Sequence, residues 1–326
     1  MEEKITIVIP NYNGVKFLPE CLDALYRQEQ DTPRYRVLIV DNGSQDGSLE
    51  LLRERFPQAG LIELPENTGF CHAVNVGIEA SETPYVILLN NDTRVKSGFV
   101  KNLFRAIEQK KDAFAVSAKM LMWDREDLVD DAGDRYCVLG WAYSRGKGKP
   151  AEHYNRPCRV FSACGGAAIY RRSVFREIGL FDELHFAYFE DVDIGYRARI
   201  YGYHSYYEPS AEVCHYGSAS SGSVYNQWKT GMAAANSVYV IAKNMPLFQK
   251  IWNFPFLFAG FFLKFLFFVK KGLGICYLKG LCKGFKRSFS KRGRARRVRF
   301  SASRLGSYLA IQWQLYVNTL KILKKY

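Results

Sequence analysis

The sequence predicts an α/β fold with a mostly parallel sheet flanked by helices, followed by a helical, basic C-terminal region. Three observations lead there. Four apolar, β-branched runs of strand length stand near the N-terminus, "KITIVIP" (4–10), "YRVLIVD" (35–41), "GLIELP" (60–65) and "YVILLN" (85–90), each bounded by turn residues. Helical patterns separate them, and strands that are apolar on both faces and alternate with helices belong in a parallel sheet covered on both sides. The third observation is charge. The last acidic residue is Glu212, and the 114 residues after it hold 20 Lys and Arg with no Asp or Glu. The first 212 residues carry 26 basic against 32 acidic side chains, so the whole excess behind the net charge of +14 lies in the C-terminal third. Two regions with different partners are expected, residues 1–223 and 224–326.

Along the chain, Phe17, Leu18, Cys21, Leu22, Leu25 and Tyr26 form one apolar helical stripe over 17–26. Less regular helical patterns cover Ser48 to Phe56 and Phe70 to Ala80. Residues 120–157 lose periodicity and mix aromatics with charges, as an excursion over a cleft would. Regularity returns with "CRVFSACGGAAIYRRSVFREIGLFDE" (158–183). After residue 224 the pattern is helical throughout. There "IWNFPFLFAGFFLKFLFFV" (251–269) is 19 residues long, interrupted by Asn253, Pro255 and Lys264, and marginal for a bilayer span of about 20 residues. The basic run "KGFKRSFSKRGRARRVR" (283–299) follows. A buried core helix explains the apolar run alone. A shallow or in-plane helical region held by apolar burial and by attraction to anionic lipid explains both, so an anionic membrane surface is the expected partner. The eight cysteines contain no C-x-x-C and no zinc-finger spacing, which points to a reducing compartment. The N-terminal "MEEKITIVIPNYNG" runs from charges directly into a strand without an apolar signal segment, so a chain that is not secreted is expected.

Polar residues gather at the strand ends: Asn11 and Asn13 after the first, Asp41 to Ser44 after the second, Asn67 after the third, and Asn90 to Asp92 after the fourth. Any one cluster is explained by turn and cap chemistry. Four in successive turns on one edge converge on the place where parallel sheets bind ligands. Neither a P-loop nor a dinucleotide fingerprint is present, so phosphate must be handled otherwise. A carboxylate at a strand end, Asp92, can recruit Mg²⁺ or Mn²⁺, hard ions that bridge diphosphate oxygens. In "HFAYFEDVDIGYRARIYG" (185–202), Glu190, Asp191 and Asp193 precede a helical pattern. Helix capping accounts for one or two of them. The aromatic residues Phe186, Tyr188 and Phe189 would desolvate the group, raising a carboxylate's pKa and improving it as a general base. Gly165 and Gly166 admit close backbone approach to a ligand or a bulge. A lone His215 after a short strand reads as structural.

The ordered set "IVIPNYNG", "LIVDNGSQDGS", "ENTGFCHAVNVGI", "ILLNNDT", "CGGAAIYRRSVFREIGLFDE", "YFEDVDIGYRAR" and "VCHYGSASSG" resembles family 2 glycosyltransferases of the GT-A fold, and most of all their bacterial rhamnosyltransferase-like branch. The resemblance runs over residues 4–245 and fades beyond. It implies an inverting enzyme with a divalent metal, Mg or Mn, that takes a nucleotide sugar as donor and a lipid-linked saccharide as acceptor at the cytoplasmic face of the membrane. It implies further that Pro10, Asn11, Tyr12 and Asp41 frame the nucleoside and that Asn67, Gly69, Ala73 and Asn75 line the donor pocket. Asn90, Asn91 and Asp92 fall at the family's D-x-D position, with Asp92 on the metal. Asp191 matches the catalytic base, Glu190 contacts the acceptor beside Gly165 and Gly166, and His215 matches a metal-ligand histidine. The chain departs from the pattern at Asn90, where the family has Asp, so weaker metal binding without nucleotide is expected. The branch favours dTDP-rhamnose as donor. Polyprenyl phosphate itself is the rival acceptor. Nucleic acid is not expected as a partner, because that reading of "SKRGRARRVR" leaves Asp191 and the strand-end clusters idle.

Overall fold

The computed structural model describes residues 2–217 and 225–323. Strands β1 (Ile5–Asn11), β2 (Tyr35–Asn42), β3 (Gly60–Leu64) and β4 (Tyr85–Leu89) lie parallel in the order β3-β2-β1-β4. They are linked by helices α1 (Leu18–Tyr26), α2 (Ser48–Arg55) and α3 (Phe70–Glu79). The chain continues through β5 (Thr93–Val95), α4 (Phe99–Glu108), β6 (Ala113–Met122), β7 (Arg125–Asp131), β8 (Asp134–Tyr136), β9 (Ala142–Ser144), β10 (Cys158–Val160), β11 (Ala167–Arg171), α5 (Arg172–Ile178), α6 (Glu190–Ile200) and β12 (His204–His215). β11 enters antiparallel between β4 and β6, and β12 runs parallel to β6. The result is a mixed, mostly parallel sheet of ten strands.

The central strands β1 and β4 are apolar along most of their length because both faces are covered. Ile5, Ile7 and Ile9 pack with Leu22 and Leu103 on one side, while Val8, from the same strand, packs with Val74 and Ile78 on the other. α1 buries Leu18, Cys21, Leu22 and Leu25, four of the six residues of the expected stripe, and Tyr26 stays partly exposed. The segment 120–157 is more regular than its sequence suggests. It contains the end of β6, the edge strand β7 and the β8–β9 hairpin; β7 hides its alternation because five of its seven residues are charged. β12 is twelve residues long, not short, and absorbs Pro209 through a register shift between Glu208 and Glu212.

The C-terminal helices are α7 (Gln227–Asn244), α8 (Leu247–Lys270), α9 (Gly274–Phe289), α10 (Lys291–Ala295) and α11 (Leu305–Leu323). α7 and α9 pack closely through glycines: a Cβ on Gly280 would stand 2.5 Å from the Gly231 carbonyl oxygen, and one on Gly284 2.4 Å from that of Ala235. The helices share a core with the α/β region. Val192, Tyr196 and Ile200 of α6 pack in one cluster with Val240, Met245, Tyr308, Ile311 and Leu315. The expected boundary at 223/224 lies outside the described residues. α8 buries only Gln249, Asn253, Leu257 and Gly260, a single stripe, while Ile251, Trp252, Phe254 and Phe258 are each at least 65% exposed. Among the described residues it is the one helix long and apolar enough to cross a membrane.

Candidate active site

The carboxyl ends of β1, β2 and β4 meet through Asn11. Its amide donates to Asp41 Oδ2 (2.7 Å) and to Ser44 Oγ (3.2 Å), and its Oδ1 accepts from Asn91 Nδ2 (2.7 Å). Gly14 makes the Asn11–Asn91 contact feasible, since a Cβ there would lie 2.1 Å from Asn91 Nδ2. Asp41 closes its own turn by accepting from the Ser44 amide at 2.9 Å. Asn67 accepts from Asn42 and from the Gly69 amide, shaping the turn into α3. Pro10 and Tyr12 flank this network, with Tyr12 38% exposed.

Asp92 follows β4 and is buried. The three residues after it form β5, which pairs antiparallel with the end of β12 and sets Thr93 opposite His215. The Tyr216 amide then donates to the Asp92 carbonyl at 3.0 Å. This ladder brings His215 Nε2 to 3.3 Å from Asp92 Oδ1, with the Asn90 amide 3.5 Å away. On its other side His215 Nδ1 meets Asp130 Oδ2 at 2.7 Å, the carboxylate–imidazole arrangement that orients metal-binding histidines. Burial opposes charge on His215, but the bonds to Asp130 and Asp92 prevail and push its pKa up to about 9. Asp130 is held at about 2 against its burial, by His215 and Lys147. Once the Nε2 proton is displaced, as metal binding to a histidine requires, the imidazole nitrogen and the Asp92 carboxylate oxygen face the same space and suit Mn²⁺ or Mg²⁺ completed by ligand oxygens, so the residues fit a divalent metal.

Gly165 and Gly166 connect this site to the acidic pair. The Gly166 carbonyl accepts from the Asn90 amide (2.9 Å), and the Gly165 amide donates to Asp191 Oδ1 (3.0 Å). A side chain at Gly165 would collide with that carboxylate, its Cβ lying 2.8 Å from the oxygen. Burial, together with the neighbouring Glu190 charge, pushes Asp191 well above the usual carboxylate range. Glu190 is buried with Oε2 unpartnered, and its burial raises it to about 7. Neither carboxylate has a cationic partner among the described residues.

The loop before α6 is strained: Phe186, Tyr188 and Phe189 all have φ between 62° and 68°, the left-handed region that bulky residues avoid. Asn236 of α7, fully buried, secures it. Its amide nitrogen lies within hydrogen-bond reach of the carbonyls of His185 (2.9 Å), Ala187 (2.8 Å) and Tyr188 (2.7 Å), and its oxygen accepts from Arg287 of α9. The Phe186 ring covers Gly69, where a Cβ would clash at 2.5 Å, and Trp228 stands edge-on to Phe186 and Tyr188.

A second acidic group, Asp182, His185 and Asp193, offers ligand atoms within 4.8 Å of one another. Its carboxylates are already compensated by the protein. Lys243 Nζ lies 2.7 Å from both Asp182 Oδ2 and Asp193 Oδ2, Arg197 reaches Asp193 at 3.0 Å, and Arg296 reaches Asp182 at 2.8 Å. The lysine ammonium sits between the two carboxylates, so this cluster is an ion-pair network that fastens α7 to α6 and joins α7 and the turn after α10 to the segment before α6.

The structure therefore brings together Asn11, Asp41, Asn90, Asn91, Asp92, His215, Gly165, Gly166, Glu190 and Asp191. It does not bring Ala73 and Asn75 to a surface. Ala73 is fully buried in the core, and the Asn75 amide is bonded to both the carbonyl and the amide of Phe181. Ala73 lies on the face of α3 that carries Gly77 and packs toward Val8 of β1, while Asn75, about 200° round the helix, is held by Phe181. Asp130 and Asn236 escaped the sequence reading. Asp130 lay in the aperiodic stretch with only its acidity as a signal, and a buried Asn in a helix carries no local signature.

A family model for glycosyl transferase family 2 matches residues 6–179. An N-acetylglucosaminyl-diphospho-decaprenol L-rhamnosyltransferase of Mycobacterium tuberculosis (strain ATCC 25618 / H37Rv) is 33% identical over 215 residues, which cover 57% of this chain and 68% of that protein. Glycosyltransferase GlyG of Streptococcus pneumoniae serotype 4 is 28% identical over 193 residues, covering 57% of this chain and 61% of its own. Among solved structures, GalNAc-T7 with UDP, GalNAc and Mn²⁺ superposes with a TM-score of 0.60 at 15% identity, covering 73% of this chain and 47% of that one. The mannosyltransferase PcManGT from Pyrobaculum calidifontis, in complex with GDP-Man and Mn²⁺, gives 0.53 at 17% identity, covering 99% and 88%. At such identities the structural likeness is one of fold. The family match and the mycobacterial relative go further: this chain belongs to glycosyl transferase family 2 and is a glycosyltransferase of the GT-A fold.

Proposed function

We propose that the chain is a metal-dependent inverting glycosyltransferase that moves L-rhamnose from dTDP-rhamnose onto a hydroxyl of a lipid-linked saccharide at the cytoplasmic face of the membrane. The observation behind this reading is that Asp191 and the Asn90–Asp92–His215 cluster are hydrogen-bonded to two adjacent glycines, which puts a base and a diphosphate-side cluster next to one another. Asp41 and Asn11, with Pro10 and Tyr12, frame the nucleoside, and Asn67 and Gly69 shape the neighbouring wall. Asp92 and neutral His215 would hold Mg²⁺ or Mn²⁺, and the ion would supply positive charge for the departing diphosphate. Asp191 accepts the proton of the acceptor hydroxyl as that oxygen attacks the anomeric carbon from the opposite face, so configuration inverts in one displacement. Burial and the Glu190 charge raise its pKa, which makes the ionised form a stronger proton acceptor than an ordinary carboxylate. Glu190 and the glycine backbone orient the acceptor, and the aromatic surface of Phe186, Tyr188 and Trp228 suits a sugar ring. The rhamnose donor and lipid-linked acceptor rest on the mycobacterial relative.

Asp191→Asn tests the assignment. Transfer should fall by roughly 10³-fold while nucleotide binding persists, and near-normal transfer by this variant would sink the reading. Residues 1–223 form the catalytic unit in this proposal and 224–326 the membrane-associating unit. The exposed apolar residues of α8 and the basic run after it support that division. Since α11 shares a core with α6, point changes test it better than truncation. Ile251→Lys with Trp252→Lys should release the protein from phosphatidylglycerol vesicles, and unchanged co-sedimentation would refute the membrane contact.

A further inference from the structure

We propose that the cavity between the β8–β9 hairpin, β10 and α11 is a binding site for a phosphate-bearing anion, separate from the donor cleft. The cavity is about 200 Å³ and is lined by Arg135, Arg145, Arg159 and Lys321 with the amides of Gln314 and Asn318. Four cations meet there, and among the described residues the one carboxylate paired with any of them is Asp112, at 3.2 Å from Arg159. Arg145 is fixed rather than free: its guanidinium lies over the rings of Tyr154 (4.8 Å) and Tyr207 (5.0 Å) and donates to the Ala132 carbonyl. Arg159 donates to the Tyr206 hydroxyl at 3.1 Å. Lys321 and Gln314 have no hydrogen-bond or ion-pair partner among the described residues. Burial and the nearby Arg135 and Arg145 hold the Lys321 pKa below the usual lysine range, as expected of a cation among uncompensated cations. Gathering like charges around one space is unfavourable unless an anion occupies it. Arginine forks with a lysine point charge are the donor set that phosphate oxygens match.

The cavity lies away from the reaction. Asp134 and Arg135 are consecutive in β8 and so project to opposite faces. Asp134 is raised by burial and by the charges of Asp131, Asp191 and Glu190, so its side chain faces the acidic pair and Arg135, on the opposite face of the strand, points away from it. α11 suggests where the anion comes from. Gln314, Asn318 and Lys321 recur at helical spacing on the cavity side, while Leu309, Trp313 and Leu320, at least 56% exposed, form a stripe about a third of a turn away. A headgroup phosphate in the cavity would leave acyl chains beside that stripe. A soluble phosphate compound offers the same chemistry without using the stripe.

The test uses the full chain carrying Asp92→Ala, in chelator, so that phosphate at the donor site does not contribute. One arm measures thermal stabilisation by inorganic phosphate against chloride at equal ionic strength. The other measures co-sedimentation with phosphatidylcholine vesicles with and without phosphatidylglycerol. Arg135→Ala with Lys321→Ala is compared with Lys279→Ala and Lys283→Ala, an equal loss of charge at exposed positions of α9. We expect the cavity pair to weaken binding to the anionic vesicles by about tenfold or more and the α9 pair by distinctly less. Loss of phosphate stabilisation in the cavity pair with vesicle binding unchanged would identify a soluble phosphate compound as the ligand. Equal vesicle losses in both pairs, with phosphate stabilisation absent or unaffected, would overturn the site. Lys321→Glu alone, at an exposed residue, gives the same comparison if the double variant does not fold. Because every readout is binding, the result stands apart from whether sugar transfer has been assigned correctly.

Discussion

Asp191 and Asp193 are two residues apart on α6 and inhabit opposite surroundings. Asp193, with no exposed surface, is met by Lys243, Arg197 and the Asn244 amide, and is held well below the ordinary carboxylate range. Asp191 has one backbone amide for a partner and is pushed well above that range. Roughly 100° of helix rotation per residue turns one toward α7 and the other toward the cleft. The contrast separates charges that hold a structure together from charges left available for chemistry, and it can be tested by removing each in turn.

The largest effects come from that exchange. Asp193→Asn should cost on the order of 3–5 kcal/mol of stability, because Lys243 and Arg197 lose a buried counter-charge; denaturant unfolding would show it. Asp191→Asn should leave the unfolding midpoint near or above that of the parent while transfer is lost. If the two variants were equally destabilised, the distinction would fail.

Glu190 gives the next effect. Its pKa rises from the ordinary 4.5 to about 7 on folding, so the folded state retains a proton that the unfolded chain has released between those values. The sign follows: this contribution is fully present below about pH 4.5 and is lost as pH rises through 7. Relative to Glu190→Gln, the parent should therefore lose on the order of 3 kcal/mol between these limits. A difference in midpoint that stays constant from pH 5 to pH 8 would contradict an unpaired buried carboxylic acid.

The smallest effect concerns Asn236, which acts on Asp191 through the strained loop. Asn236→Ala should lower kcat by about tenfold, consistent with loss of about 1.4 kcal/mol of positioning, while the KM for donor holds. An equal change in both, or none in kcat, would reduce Asn236 to a packing residue.

Much of this was legible in sequence where the signal is local. The four parallel strands, the polar ends at Asn11, Asp41 and Asn90–Asp92, and the acidic start of α6 each sit within a few residues of the pattern that betrays them. What stayed hidden depends on pairing over long separations. His215 reaches Asp92 because β12 returns to pair with β5, and Asp130 orients it from an edge strand whose charges mask its alternation. Asn236 lies 48 residues from Tyr188, with nothing between them to announce the contact. Ala73 and Asn75 show the converse case: the motif marks a helix, and the helix buries both residues, Asn75 against Phe181.

The Gly165–Gly166 pair has a consequence for how the enzyme can evolve. The Asn90 backbone hangs from one of these residues and the Asp191 carboxylate from the next, and consecutive Cα atoms are about 3.8 Å apart whatever surrounds them. Covalent geometry thus acts as a gauge between the two sides of the cleft. Changes in the helices or in the loop before α6 can reshape what surrounds the cleft, while the spacing between the Asn90–Asp92 turn and Asp191 is inherited unchanged.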